Sequence, residues 1–277
     1  MRKTLATLIL AVMLLFCSNV LAQTAESELR TNLSKATIGL YQAKQACKWV
    51  VVPSFFFDSR EWTCEVKSKF VCTATVFSTN GDGDYLALTA GHCFDWEHID
   101  EYYVSDEMSD HPALKKTTVV KFEDNTRYDY GVVRFHSTFT EYPPIKLAGM
   151  YSSSIPAIGA KIINVNFSLG LIKQSLDGRV VSGAIGEVCK DCRGRFLVSI
   201  GIAPGASGSA VVNEETGEIV GLVEMTVPGT QMATIVIPVG VQLANFMDDD
   251  SVGIKPKKAE PAPETKPAET KKKKHWF

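Results

Sequence analysis

The sequence predicts an all-β protein, on three observations. Beyond residue 35 the chain breaks into short apolar runs of about four to eight residues, rich in Val, Ile, Phe and Thr. Gly, Asn, Asp and Pro punctuate these runs and supply the backbone geometries that turns need. Helical segments do not alternate with them, as a parallel βαβ sheet would require. The runs, taken in order, are ATIGLYQA (36–43), WVVV (49–52), KFVCTATVF (69–77), YLALTA (85–90), TTVVKF (117–122) and YGVVRF (130–135). AKIINVNF (160–167), GRVVSG (178–183), RFLVSIGI (195–202), SAVVN (209–213), EIVGLV (218–223) and ATIVIPV (233–239) follow. Each is expected to be a strand of a sandwich or barrel. QLANFMDDD (242–250) is the one late segment expected to form a short C-terminal helix. Residues 23–35 read as a polar, helix-tolerant leader without a clear apolar face. NGDGD (80–84) lies between two strands and lacks the glycine and distal glutamate of an EF-hand, so a hairpin turn is expected there rather than a calcium loop.

The 277 residues suffice for one large domain or two small ones. With 45% hydrophobic and 22% charged residues the chain can bury a substantial core. Its net charge of −2 gives no reason to expect a nucleic-acid partner. The N-terminus carries a basic head (MRK), an apolar stretch (LATLILAVMLLFC) and small residues before a cut, with Val20 and Ala22 in the recognition positions. This is the layout of a secretory signal peptide over residues 1–22. Thr7, Ser18 and Asn19 leave its apolar core short of the roughly 20 residues of a spanning helix. Phe16 is too large to precede a lipid-modified Cys17. A secreted or periplasmic protein with no transmembrane segment after signal removal is therefore expected.

Export decides how the cysteines read. Of seven, Cys17 leaves with the signal, and six enter an oxidising compartment. CKDC (189–192) has no second CxxC or HxxxH to complete a metal site, so disulfides are expected and no metal. Spacing alone does not give the pairing. From about residue 251 the composition changes to Lys, Pro, Glu, Ala and Thr. Such a segment buries too little apolar surface to offset its ordering entropy, and residues 249–277 are expected to form a disordered tail. Lys271, Lys272, Lys273 and Lys274, followed by Trp276 and Phe277, suit either a tether to an anionic cell-surface polymer or a merely solubilising end.

Three local patterns carry chemistry. YLALTAGHCF places His92 in a small-residue turn just after a strand. RYDYGVVRF places Asp129 immediately before a strand, and PGASGSAVV places Ser207 between two strands. A serine hydroxyl is a weak nucleophile that needs a base within hydrogen-bond reach. Imidazole has a suitable pKa, and a buried carboxylate fixes its tautomer and stabilises the imidazolium formed on attack.

In the order His, Asp, Ser, these residues resemble the trypsin/chymotrypsin-like serine peptidase superfamily over most of residues 33–245. TAGHC matches its TAxHC motif, DYGVV its Asp–x–Ala/Gly–aliphatic stretch, and GASGS its GxSGG with Ser209 in place of the last glycine. The resemblance implies two packed six-stranded antiparallel barrels, over 36–140 and 141–240, within a peptidase domain spanning 36–248. It implies a His92–Asp129–Ser207 triad and an oxyanion hole made by the N–H groups of Gly205 and Ser207. It implies a Cys72–Cys93 disulfide beside the histidine, leaving Cys189–Cys192 and Cys47–Cys64 as the remaining pairs. EIVGLV resembles the cleft-lining strand, which makes Glu224, Met225 and Thr226 substrate-facing candidates, with Gly201 near the floor of the first specificity pocket.

Ala206 stands where digestive members carry an aspartate, so trypsinogen-style activation is not expected, and a bacterial or viral-type member is. With no acid at Gly201, a preference for Lys or Arg would depend on Glu224 pointing inward, which strand alternation leaves open. The expected function is a secreted serine endopeptidase, a monomer acting on a protein or peptide substrate without a cofactor. The alternative is a catalytically weak or silent binding protein on the same fold, attached to an anionic surface by its basic tail. GxSxG hydrolase topology is excluded by Ser209 and by the chain order, and none of the five histidines supplies HExxH.

Overall fold

The structure is a computed structural model. It describes residues 23–52, 59–109, 112–125, 127–138, 140–149, 155–183, 185, 194–227, 229–230 and 232–249. Residues 1–22, where a signal peptide is expected, Cys189, Cys192 and the residues beyond Asp249 lie outside the described residues.

Two closed antiparallel barrels of six strands each make up the fold, as expected. The first contains β1 (Thr37–Val52), β2 (Ser59–Thr79), β3 (Asp84–Thr89), β4 (Tyr102–Ser105), β5 (Lys115–Asp124) and β6 (Asp129–His136), in the order β1-β2-β3-β6-β5-β4. Pairing of Gly39 with Ser105 closes it. The second contains β7 (Lys161–Asn166), β8 (Gln174–Ser182), β9 (Phe196–Val198), β10 (Ala210–Asn213), β11 (Ile219–Thr226) and β12 (Thr234–Pro238), in the order β10-β11-β12-β9-β8-β7. Pairing of Val211 with Asn164 closes it. Inward-facing aliphatic side chains of both barrels, among them Ile38, Val76, Leu88 and Val133 and then Ile163, Val211, Leu222 and Val236, form one continuous buried core.

The strand reading needs three corrections. WVVV is not a separate strand but the far arm of β1, which pairs with β2 from Thr37↔Thr75 out to Val52↔Ser59. YYVS, the short strand β4, is not marked in the sequence, because it follows the six-residue 3-10 segment Trp96–Glu101 with no apolar alternation. The segment before β1 is not faceless. Residues 23–36 form a helix, α1, whose Leu29, Leu33 and Ala36 repeat at helical spacing, with Leu33 and Ala36 fully buried. At 80–84 the expected hairpin turn is present. Asn80 Oδ1 accepts the amides of Asp82 and Asp84, and Gly81 and Gly83 both take positive φ.

The helices that flank the barrels cross over between them. Before entering the first barrel, α1 is held against the second, with Arg30 reaching Asp177 at 2.6 Å and Glu214 at 3.3 Å. The expected C-terminal helix, α2 (Val241–Asp248), leaves the second barrel and packs on the first, its Phe246 ring meeting Tyr128 and Tyr130. Lys121, nine-tenths buried, donates to the carbonyls of Met247 and Asp249 and so caps the exposed end of α2.

Candidate active site

His92 sits in a 3-10 turn, Gly91–Cys93, directly after β3. The turn needs glycine at 91, because a Cβ there would meet the carbonyl oxygen of Glu123 at 1.9 Å. A disulfide joins Cys93 to Cys72 on β2, with Cα atoms 6.1 Å apart, as the resemblance implied. Both sulfurs near the His92 ring are thereby unavailable to a metal ion. Cys47 is also disulfide-bonded, and the β1–β2 register sets its Cα opposite that of Cys64.

Asp129 is the first residue of β6. The β5–β6 turn is an Asx turn in which Asn125 Oδ1 accepts the amides of Arg127 and Tyr128, so the strand starts at a fixed point. Asp129 is 3% exposed and makes two contacts with His92. Its Oδ1 accepts the His92 backbone N–H at 2.7 Å, and its Oδ2 lies 2.8 Å from Nδ1. This pairing holds the ring in one orientation and leaves Nε2 as the free nitrogen. Burial of the ring works against its charged form, but the hydrogen bond and charge of Asp129, with Asp124 and Glu224 further off, raise the His92 pKa overall.

Ser207 is half-buried in the turn between residues 203 and 210, and two glycines with positive φ shape that turn, Gly205 at +97° and Gly208 at +80°. A Cβ on Gly208 would meet Thr89 Oγ1 at 2.1 Å and the Ala90 nitrogen at 2.6 Å. Only glycine therefore allows the serine turn to lie directly on the histidine turn. Thr73 of β2 ties the turn down from the first barrel, its N–H donating to Ser207 O at 3.0 Å and its hydroxyl to Gly205 O at 2.8 Å. The amides on either side, of Ala206 and Gly208, donate to the carbonyls of Ala203 and Val223, while no described partner takes those of Gly205 and Ser207. Ser207 Oγ donates to the carbonyl of Glu224 at 3.2 Å and makes no hydrogen bond to His92 among the described residues.

That carbonyl is available because of a bulge. In the β11–β12 ladder Val223 pairs with Val236 and Met225 with Ile235, so Glu224 is the extra residue. Its side chain does not reach into solvent as a free acid. Arg195, 2% exposed, grips it with Nε at 3.0 Å and Nη2 at 3.2 Å. Burial raises the Glu224 pKa above its ordinary range, and Arg195 offsets this only in part. Met225 is 48% exposed, Thr226 half-buried and Gly201 exposed. Arg195 escaped the sequence reading. A glutamate inside the apolar run GLVEM signals that a cationic partner is needed, but nothing local says which one.

A two-barrel fold with an aspartate-bound histidine from one barrel beside a serine turn from the other is the arrangement of a trypsin-like peptidase domain. Residues 72–222 match the trypsin-like peptidase domain family, and the chain belongs to it. Among solved structures it is similar to the HtrA-type protease AlgW with a decapeptide (TM-score 0.59, 16% identity, 81% of this chain and 68% of that one). It is likewise similar to the Rv3671c protease of M. tuberculosis in its active form (TM-score 0.51, 16% identity, 79% and 83%). A third neighbour is the serine endoprotease from Yersinia pestis (TM-score 0.51, 17% identity, 79% and 64%). At these identities the likeness is one of fold, and the chain spans about two thirds of the length of the AlgW and Yersinia pestis proteins. No curated protein matches the chain. Among the described residues no helix is long and apolar enough to cross a membrane.

Proposed function

We infer that the protein is an exported serine endopeptidase that uses His92, Asp129 and Ser207. The observation that carries the reading is the pair of hydrogen bonds that a buried Asp129 accepts from His92, with the Ser207 turn packed on the histidine turn through Gly208. Rotation about χ1 releases Ser207 Oγ from the Glu224 carbonyl toward His92 Nε2, which takes its proton as Oγ attacks the scissile carbonyl. Asp129 stabilises the imidazolium that results. The unoccupied amides of Gly205 and Ser207 receive the developing oxyanion, each such donor contributing about 10²–10³ in rate. His92 then protonates the leaving amine, and water repeats the sequence on the acyl-enzyme.

The substrate is a protein or peptide lying along β11, with Met225, Thr226 and Gly201 as its nearest contacts. Glu224 is not a free specificity acid, because Arg195 already occupies both its oxygens. Cleavage after Lys or Arg is therefore not expected. The signal peptide and the basic tail, with its lysines at 271–274, fit a secreted or periplasmic enzyme held near an anionic polymer. A second reading, a silent binding protein, draws on the Ser207–Glu224 hydrogen bond, which leaves the serine unengaged by its base. A fluorophosphonate probe separates the two. The peptidase reading requires covalent label on the wild-type protein and none on Ser207→Ala, and an unlabelled wild type overturns it.

A further inference from the structure

Four buried polar side chains lie beneath the serine turn and take no part in the chemistry above: Asn164 and Asn166 on β7, Ser168 just after it, and Ser209. The first, second and fourth are fully buried and Ser168 is 4% exposed. They form a single directional chain of hydrogen bonds. The N–H of Ala203 donates to Ser168 Oγ at 3.2 Å. Ser168 Oγ donates to Asn166 Oδ1 at 2.8 Å, and the Ser168 amide does so at 2.9 Å. Asn166 Nδ2 donates to Asn164 Oδ1 at 2.6 Å. Asn164 Nδ2 donates to Ser209 Oγ at 2.9 Å and to the Ala210 carbonyl at 2.8 Å.

The two ends of this chain are informative. Ala203 and Ser209 bracket the segment that contains Gly205 and Ser207, so one buried network clamps that segment at both feet. Two further contacts tighten the same foot. Leu169 donates its N–H to Pro204 O at 2.6 Å while holding φ at +60°, a conformation that β-carbon-bearing residues adopt only when their surroundings impose it. A Cβ on Gly205 would meet the Phe167 carbonyl oxygen at 2.9 Å, which shows how closely the segment after β7 approaches the turn. Buried polar chains of this kind are rigid because every member left unpaired in a low-dielectric interior is strongly disfavoured.

Resting on the serine peptidase reading, we propose that the Ser209–Asn164–Asn166–Ser168–Ala203 chain sets the aim of the Gly205 and Ser207 amides, making these four side chains positioning residues for the oxyanion hole. Ser209, the departure from GxSGG, then has a purpose. A glycine there has no hydroxyl with which to anchor Asn164.

The test is the kinetics of fluorophosphonate labelling on the full processed chain, because the phosphonyl oxygen of the adduct occupies the oxyanion position. Ser168→Ala and Ser209→Ala should each lower the maximal labelling rate by about tenfold or more, with the half-saturating probe concentration changed by less than about twofold. Ser168→Thr, which keeps the hydroxyl, should recover most of the rate. Wild-type rates in both alanine variants would overturn the proposal, as would equal losses in Ser168→Ala and Ser168→Thr, which indicate packing alone. If the alanine variants do not fold, amide hydrogen exchange on the wild-type protein decides. Ala203 N–H must be protected while Gly205 N–H exchanges readily, and an Ala203 amide that exchanges as fast as Gly205 overturns the proposal. Failure of the wild type to label at all counts instead against the peptidase reading.

Discussion

His92 works as a base only when neutral, and its environment pushes the other way. Desolvation opposes the charged ring, but Asp129 more than compensates, so its pKa stands above the ordinary histidine value. The acid limb of kcat/KM is therefore expected above about pH 6.5. Asp129→Asn should move that limb to lower pH and reduce kcat by about 10⁴, as read from pH–rate profiles on a peptide substrate. The stability sign follows from the same shift. A raised folded-state pKa favours the folded protein below the unfolded-state value, and this contribution is lost as pH rises through the folded-state value. At Glu224 the balance is different, because its partner Arg195 is buried and its own side chain is only 11% exposed. Arg195→Met leaves a carboxylate without its partner and should destabilise the protein by about 3–5 kcal/mol at neutral pH. Arg195→Met combined with Glu224→Gln should recover much of that loss, since it removes the stranded charge. Urea denaturation of the two variants measures the difference. The motif residues His92, Asp129 and Ser207 were legible in the sequence because each sits in a short local pattern. Arg195 was not, because its partner lies 29 positions away and meets it only through the β9–β12–β11 order of the second barrel.

Individual elements present the site by being pinned at their ends. β3 delivers His92 through a turn fixed by Gly91 and by the Cys72–Cys93 disulfide, which spans 21 positions. Replacing both cysteines by alanine should cost about 3 kcal/mol in denaturant unfolding, the value expected for closing a loop of that size. β11 offers the Glu224 carbonyl by means of a bulge between Val223 and Met225. Strand alternation carries no sign of that bulge, so only the register fixes the orientation of Glu224. In the other direction, α1 carries a local signal, but a faint one. Leu29, Leu33 and Ala36 are spaced for one helical face, but they are sparse among Glu, Ser, Lys and Asn, and only packing against the barrel core makes that thin stripe sufficient to bury.

At the scale of the molecule, each barrel carries part of the candidate site, and the two flanking helices strap the barrels together. α1 binds the second barrel before β1 enters the first, and α2 leaves the second to pack beside Tyr128 and Tyr130, the neighbours of Asp129. Truncation before Val241 should thus lower stability and peptide hydrolysis together. Removal of 251–277 should leave hydrolysis of a soluble peptide intact while abolishing any binding to an anionic polymer, measured by co-sedimentation. Lys121→Met should lower the melting temperature without changing the acid limb of the pH profile, because Lys121 caps α2 and does not touch His92. The sequence by itself determined the all-β class, the likeness to trypsin-like peptidases, the triad candidates and the cysteine beside the histidine. All of these are written in contiguous residues whose types the chemistry or the backbone constrains. Tertiary structure alone decided that Glu224 is held by Arg195, that Ser207 rests on the Glu224 carbonyl, and that Ser209 anchors a buried chain reaching Ala203. Those facts arise where strands distant in sequence are brought into register, and a buried polar group's partner is chosen by that register rather than by its neighbours along the chain.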